Sequence, residues 1–508
     1  MEQEEDNLES LLKWAAEIGV SDSAATSQHG SSNSCLGHSL FVSYFPHAGG
    51  RGLGAARDIR KGELVLRVPK SALLTREILL EDEKLSVAVN GHSSLSPVQI
   101  LAVCLLYEMQ KGRSSWWYPY LRNLPHNYDI LATFGEFEKQ ALQVDDAVWA
   151  AEKAILKAEV EWKEANVLMK ELNLKGRLQT FRAWIWASAT ISSRTMHIPW
   201  DEAGCLCPVG DLFNYAAPGE EPSGFEDLEL QSHTSSFQDT TSLCGDTTYM
   251  LDVEQLDACT ERLTDGCFVE DVAAYCFYAR ENYKRDEQVL LCYGTYTNLE
   301  LLEHYGFFLY ENPNDKVFIP LEPEIYSSNS WPKESMFIHQ SGKPSFALLS
   351  ALRLWATQPS QRRSVAHLAY SGCQLSVENE ILVMRWISNK CNVLLKSLPT
   401  SFEEDSLLLD SIGKVQGLHN SLELRTYLAS FTGEISAFVE VNGLRNVEDD
   451  SALPLSRKIK RSMERWRLAV QWRLNYKKIL VNCISYCAES IDSFNCQKII
   501  SGTEHTLI

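Results

Sequence analysis

No apolar run in this 508-residue chain approaches the roughly 20 residues that a bilayer-spanning helix needs. The opening residues, MEQEEDNLESLLKW, lack the cationic start of a secretory signal and the Arg/Ser-rich, acid-poor character of a transit peptide. The expectation is a protein of the cytoplasm or nucleus with no membrane partner. Positive charge is also short. Lys plus Arg number 47 against 67 Asp plus Glu, a formal net charge of −20, which disfavours nucleic acid as a direct partner. Among 14 cysteines only Cys205-Leu206-Cys207 and Cys483…Cys487 lie close together, and neither has a second pair at zinc-ligand spacing. No metal is expected, and the thiols read as reduced and mostly buried. No internal repeat is visible. What the chain does have is length: 508 residues exceed one ordinary core and predict two domains. A monomer is the expected state.

Residues 7–19 place Leu8, Leu11, Leu12, Ala15 and Ile18 on one side of an amphipathic helix. The polar stretch SDSAATSQHGSSNS follows, so residues 1–35 read as a helix and linker. The segment LFVSYFPHAGGRGLGAARDIRKGELVLRVP predicts a strand, a glycine loop, a strand, a turn at Lys61-Gly62 and a further strand. From about 95 to 190 the pattern is helical. Strand signals return at Tyr275–Ala279 and Gln288–Cys292. Residues 219–268, acidic and Ser/Thr-rich with little periodicity, predict a surface loop. Residues 330–490 are mainly helical, with helices near 345–356, 376–397, 421–431 and 453–488, and 491–508 form a tail.

The glycines Gly49-Gly50-Arg51-Gly52-Leu53-Gly54 admit a phosphate cradle, but a dinucleotide fold requires a helix straight after them. AARDIRKGELVLRV reads as a hairpin instead, which sets that fold aside. There remains either a plain β-turn or a loop whose backbone can approach a ligand closely, because glycine has no side chain. The stretch VLLCYGTYTNLELLEHYGFFLYENPND carries Tyr293-Gly294 and Tyr305-Gly306. Thr297 and Glu300 fit a capping box, and Gly306 fits the stop of a short helix. Tyr293 thus ends a strand and Tyr305 ends a helix. Two core tyrosines or two phenols in one pocket both satisfy that spacing. The basic, aromatic segment SRKIKRSMERWRLAVQWRLNYKK reads as a solvated helix face with Trp466 and Trp472 turned inward.

Four stretches occur in order: GGRGLGAARDI at 49–59, ISSRTMHIP at 191–199, PVGDLFNYAAP at 208–218 and EQVLLCYGTYTNLELLEHYGFFL at 287–309. Together they resemble the SET-domain methyltransferases, in the branch typified by the Rubisco large-subunit lysine methyltransferase. SSWWYPYLRNLP at 114–125 resembles that branch's inserted helical segment. The resemblance implies an α+β fold: a SET β-fold over 36–320 with a helical insert at about 95–190, then a mainly helical substrate-binding domain over 330–490. It implies S-adenosylmethionine as cofactor and a protein substrate as partner, most often a lysine. Carried over to this chain, Arg51, Gly52, Leu53, Arg194, Asp211, Asn214, Tyr215 and Tyr293 lie on the cofactor side. Tyr305 matches the catalytic tyrosine and Tyr293 the second channel tyrosine. The chain departs from the family at one point, reading Asn214-Tyr215 where Asn-His is usual. Thr195-Met196-His197 leaves the acceptor open between lysine and histidine. The alternative reading is a SET-like interaction protein with a degenerate pocket.

Overall fold

The computed structural model describes residues 2–23, 34–45, 50–218, 263–416, 423, 433–444 and 456–504. Strand β1 (Leu40–Phe45) runs antiparallel to β2 (Gly50–Ala55), with Leu40 opposite Ala55 and Ser43 opposite Gly52. The glycine stretch expected as a loop is therefore itself a strand from Gly50 onward, while Gly49 lies outside the described residues. Its glycines serve close packing more than turning. A Cβ on Gly54 would lie 2.7 Å from the Phe41 ring, and one on Gly52 would lie 2.4 Å from Asn214 Nδ2.

The next strands are β3 (Leu64–Pro69), β4 (Thr195–Ile198), β5 (Asp201–Leu206), β6 (Asn214–Tyr215), β7 (Leu263–Val269), β8 (Ala274–Ala279) and β9 (Leu290–Leu291). β3, β8, β7, β9 and β6 form a five-stranded sheet in that order, with β9 parallel to both β6 and β7 and the other pairs antiparallel. β7 corrects the loop expected over 219–268: Leu263 pairs with β9 and residues 264–268 pair with β8, and 219–262 lie outside the described residues. Leu40, Leu53, Val65, Phe213, Phe277 and Leu291 are buried together behind these strands.

These strands belong to a first compact unit made of Met1–Gly91, Ser96–Leu124 and Arg194–Thr295. Helix α1 (Glu2–Glu17) is part of it, not an appendage: Ala15 is in the core and Leu12 and Trp14 pack against it. Asp22 fastens the return of the chain. Its Oδ2 accepts from the amides of Gly37, His38, Ser39 and Leu40 at 2.7–3.0 Å. Helix α2 (Pro97–Lys111) starts at a Ser96–Gln99 capping box and adds a buried apolar face.

The second unit comprises His92–Leu95, Pro125–Ser193 and Tyr296–Ile508. It holds helices α3 (Asp145–Glu171), α4 (Phe181–Arg194, whose last residue belongs to the first unit), α5 (Asn298–His304), α6 (Phe346–Trp355), α7 (Val377–Ser397), α8 (Phe402–Gln416) and α9 (Arg457–Glu504). Strands β10 (Lys316–Val317) and β11 (Ile338–His339) form a small antiparallel pair here. One core gathers Leu131, Ala147, Leu302, Ile412, Phe438 and Trp466, with the Phe438 and Trp466 rings stacked at 4.8 Å. A second gathers Leu348, Leu352, Val383, Ile387, Leu480 and Cys483.

The 48-residue α9, about 70 Å long, contributes to both cores. The chain thus divides differently from the sequence-based domains. Residues 125–193 of the insert share a core with the C-terminal helices, and 491–504 continue α9 instead of forming a tail. Trp466 and Trp472 are buried as expected. Helix α8 was not expected, and of the helix expected at 421–431 only residue 423 is described. No helix among the described residues is long and apolar enough to cross a membrane.

Candidate cofactor site on the first unit

Gly52, Asn214 and Gln288 meet where three segments converge. β2 pairs with β1 on one side, and on the other Leu53 O accepts from Val289 N at 2.9 Å and Gly54 bridges Gln288. β6 lies parallel to β9, with Asn214 opposite Leu290 and Tyr215 opposite Leu291. A side chain at position 52 would collide with Asn214 Nδ2 and, at 2.9 Å, with Gln288 Nε2. The Asn214 Nδ2 group is buried and has no hydrogen-bond partner among the described residues. A buried amide donor left without an acceptor costs about 1–3 kcal/mol, so its persistence at a glycine-lined strand points to an acceptor supplied by a ligand.

Two phenols latch β6 to the strand beside it. The Tyr293 hydroxyl donates to the carbonyl of Phe213, the residue before Asn214. The Tyr215 hydroxyl donates at 2.9 Å to the carbonyl of Gly294, the residue after Tyr293. The two rings lie 5.2 Å apart. Burial pushes the Tyr293 phenol well above its ordinary range, with Arg194 pulling the other way and Asp211 and Tyr215 adding to the rise. Tyr293 therefore stays a protonated donor near neutrality. Tyr215, the departure from Asn-His, is buried and gains a backbone tether through its hydroxyl.

Arg194 ends α4, and its Nη1 donates to Asp211 O at 3.0 Å and to Asp211 Oδ2 at 2.9 Å. The same carboxylate oxygen accepts from the Tyr120 hydroxyl at 2.8 Å. Asp211 is thus committed to holding Arg194 in place. It sits in a 3-10 turn, Gly210–Leu212, entered through Val209 at φ 69° and ψ −42°. A β-branched residue there carries strain on the order of 1–3 kcal/mol, which the surrounding packing must offset. Arg51, on β2, donates from Nη2 to Asn123 O at 2.8 Å, and Asn123 Nδ2 in turn donates to Asn7 O at 2.8 Å. Tyr120 and Asn123 both come from the 118–124 segment and buttress the two arginines. Sequence spacing did not reveal them, because their partners lie 91 and 72 residues away.

The first unit therefore brings together Arg51, Gly52, Leu53, Arg194, Asp211, Asn214, Tyr215 and Tyr293. Tyr305 belongs to the second unit. It caps α5, whose start is the expected box: Thr297 Oγ1 accepts from Glu300 N while Glu300 Oε2 accepts from Thr297 N. Gly306 follows at φ 78°, and its N–H donates to Leu301 O at 2.8 Å. The Tyr305 ring lies 5.4 Å from Tyr296 and 6.0 Å from Phe307. At the other end of α5, Asp315 accepts from Asn298 N and Nδ2, both at 2.6 Å, and burial pushes its carboxyl up to about 6 in spite of those bonds.

Cys205 and Cys207 are core thiols. Burial raises the first to about 12 and the second well above its ordinary value. Among the described residues no group of three or more His, Cys, Asp or Glu side chains is arranged to hold a metal ion.

Against known proteins, the chain is 57% identical over 501 residues to Protein SET DOMAIN GROUP 40 of Arabidopsis thaliana, covering 97% of this chain and 98% of that protein. The chain belongs to the SET-domain family. Residues 313–480 match the family model described as Rubisco LSMT substrate-binding. Actin-histidine N-methyltransferase of Danio rerio is 26% identical over 465 residues, 84% of this chain, and this SET-domain chain spans 66% of that relative's length. The crystal structure of the SET domain of LSMT bound to lysine and AdoHcy shares the fold. Its TM-score is 0.55 at 17% identity, over 96% of this chain and 92% of that one. The α+β SET fold expected from the motifs is thereby confirmed.

The buttress predicts a separable effect. Tyr120→Phe removes the hydroxyl bond to Asp211 and leaves the ring in its buried place. Asp211, which holds Arg194, should then be fixed by one partner fewer, weakening cofactor binding about three- to ten-fold. Calorimetry on the variant, with its melting temperature alongside, checks this; unchanged affinity would remove Tyr120 from the buttress.

Proposed function

We propose that this chain is an S-adenosylmethionine-dependent protein methyltransferase that modifies a protein side chain, with the lysine ε-amine as the favoured acceptor. The observation that carries the reading is the Gly52–Asn214 contact: a cradle that a Cβ would fill, beside a buried amide donor without a partner among the described residues. Gly52 and Leu53 would hold the cofactor through their backbone, Asn214 through its amide, and Arg194 through its guanidinium, with Arg51 at the flank. A guanidinium fork suits a carboxylate. Asp211 and Tyr215 act one step back, as holders of Arg194 and of the Gly294 carbonyl. When bound, the cofactor supplies an electron-poor methyl group on a positive sulfonium.

The chain's own residues must align an amine and strip its proton. An unperturbed lysine, pKa about 10.4, is neutral in only about one molecule in a few thousand near pH 7. Apolar and aromatic walls disfavour the ammonium form and so raise the neutral fraction. Tyr293 shapes the entrance through its tether to Phe213 O, and Tyr305 orients the reacting amine. Neither phenol acts as a base: Tyr293 is held protonated by burial, and alignment is the main demand of an in-line displacement. The net charge of −20 argues for a protein substrate over nucleic acid. A histidine acceptor is the second reading, favoured by the likeness to actin-histidine N-methyltransferases over 80–84% of this chain.

The test has two arms. Titration calorimetry of the full chain should show one S-adenosylmethionine site, weakened by roughly 1.5–3 kcal/mol in Arg194→Ala as a charged hydrogen bond is lost. Incubation with the labelled cofactor and a cell extract, followed by mapping of the labelled side chain, then separates lysine from histidine. Binding without transfer leaves the interaction-protein reading, and no heat at millimolar cofactor ends the methyltransferase reading.

A further inference from the structure

Helix α3 carries four of its large apolar residues on its outer face, more than a helix that serves only its own domain requires. Five alanines, Ala147, Ala151, Ala154, Ala158 and Ala165, face inward and are buried, with Leu168 and Met169 near the helix end. Trp149 and Leu156 face outward, each 62% exposed, with Val167 at 59% and Val160 at 45%. An amphipathic helix normally turns its large apolar side chains to the core. The four exposed residues follow one another at intervals of seven, four and seven, which keeps them on one line down the helix. A continuous apolar line on an exposed helix marks a surface that another body covers.

The order of the line identifies the body. Trp149 and Val167 lie equally far on either side of Ala158, and so do Leu156 and Val160. The stripe therefore reads the same from both ends. Two copies of α3, laid antiparallel across a two-fold axis level with Ala158, set Trp149 against Val167 and Leu156 against Val160, each contact occurring twice. A two-fold axis also brings each flank against the same flank of the other copy. On one flank Asp145 then faces Lys170 of the second copy, and Glu152 faces Lys163. On the other flank Lys153 faces Glu164. Every one of these pairs is opposite in charge.

Like-charged pairings remain at two places: Asp146 with Glu171 at the ends of the helix, where Glu171 is already engaged by His92 Nε2 at 2.8 Å, and Lys157 and Glu159 each with its own copy at the outer edges of the two flanks, where Lys157 has Glu161 within 3.9 Å. Within one copy, Lys153 lies over the Trp149 ring at 5.0 Å, which seats the cation beside the stripe, toward Glu164 of the second copy. Self-complementarity in shape and in charge at one register is the signature of an isologous contact, and a foreign partner would not require the palindrome.

We propose that the chain forms an antiparallel, two-fold homodimer through the outer face of α3, in place of the monomer expected from sequence. The proposal is independent of the methyltransferase reading. Sedimentation of the full chain over about 1 to 100 µM, the range suited to a modest interface, should show monomer passing to dimer. Leu156→Glu, next to the axis, should raise the dissociation constant by about a hundred-fold or more, because a carboxylate is buried twice. Glu152→Lys or Lys163→Glu alone should weaken the dimer about ten-fold, and the two together should restore it, since only this register sets 152 against 163.

Melting temperatures measured well below the dissociation constant, where every variant is monomeric, should stay level, because these side chains are exposed in the monomer. A wild-type chain that stays monomeric at 100 µM overturns the proposal. So does a Leu156→Glu variant that still dimerises, or a double exchange as weak as its single parents.

Discussion

Tyr305→Phe should slow single-turnover methyl transfer by about ten- to a thousand-fold, while melting temperature and cofactor affinity barely change. The magnitude is that of removing one preorganised polar interaction from the transition state. The structure explains why the fold should tolerate the change. Tyr305 is placed by its backbone: α5 is fixed at its start by the Thr297–Glu300 box and at its end by Gly306. Gly306 has no room for a side chain, since a Cβ there would lie 2.9–3.0 Å from the backbone of Asp129 and Ile130. The phenylalanine ring stays packed beside Tyr296 and Phe307. Only the hydroxyl is removed.

Tyr293→Phe should behave differently. Its hydroxyl tethers Phe213 O, so its loss loosens β6 and the channel wall. The rate should fall less than for Tyr305→Phe, and the number of methyl groups added per acceptor should change. Rate and melting temperature measured on the same Tyr305→Phe sample decide the matter. A destabilised variant with full activity per folded molecule would make Tyr305 a packing residue.

Local chemistry made several of these features readable in the sequence. The α5 capping box, the terminating Gly306 and the amphipathic α1 depend on neighbours within one or two turns, and sequence spacing reports such neighbours directly. The glycine segment was harder. Gly50–Ala55 reads as a loop by propensity, yet forms a strand because Phe41 and Asn214 occupy the space that side chains would take. Strand β7 was hidden for a related reason: Leu263-Thr264-Asp265-Gly266-Cys267-Phe268-Val269 carries an Asp-Gly pair that reads as a turn, and pairing with β8 overrides it.

The eight cofactor-side residues named by resemblance do share one unit, but the side chains that hold them, Tyr120 and Asn123, gave no local signal. The division into units was equally hidden. The segment 125–193 is helical by pattern, but pattern does not say that its apolar faces meet α8 and α9 and leave the sheet to others.

Helices α8 and α9 also enclose a buried charge cluster on Asp405. Asp405 Oδ1 accepts from Arg473 Nη2 and from Thr400 Oγ1, both at 2.7 Å, and Oδ2 pairs with Lys477 Nζ. Arg473 also donates to Ala141 O at 2.6 Å and meets Glu434, while Lys477 donates to Thr400 O at 2.6 Å. The side chains of Asp405, Arg473 and Lys477 are at most 1% exposed. Asp405→Ala leaves two buried cations facing one partly exposed carboxylate, and should cost about 3–5 kcal/mol.

The loss should depend on pH in a set direction. Burial already holds the Lys477 ammonium below its ordinary value, and without Asp405 it falls further. The unfolded chain then binds the proton more tightly than the folded one, so the variant's stability rises with pH between the lowered folded value and the ordinary 10.5. The deficit against wild type should therefore shrink from pH 7 toward pH 9, although Arg473 does not titrate and keeps part of it. Replacing Asp405, Arg473 and Lys477 together by Leu, Met and Leu should recover most of the loss, because an apolar trio carries no desolvation cost. Thermal unfolding of the three proteins at two pH values reads all of this. A single variant within about 1 kcal/mol of wild type at pH 7 would mean that water reaches the cluster and screens it.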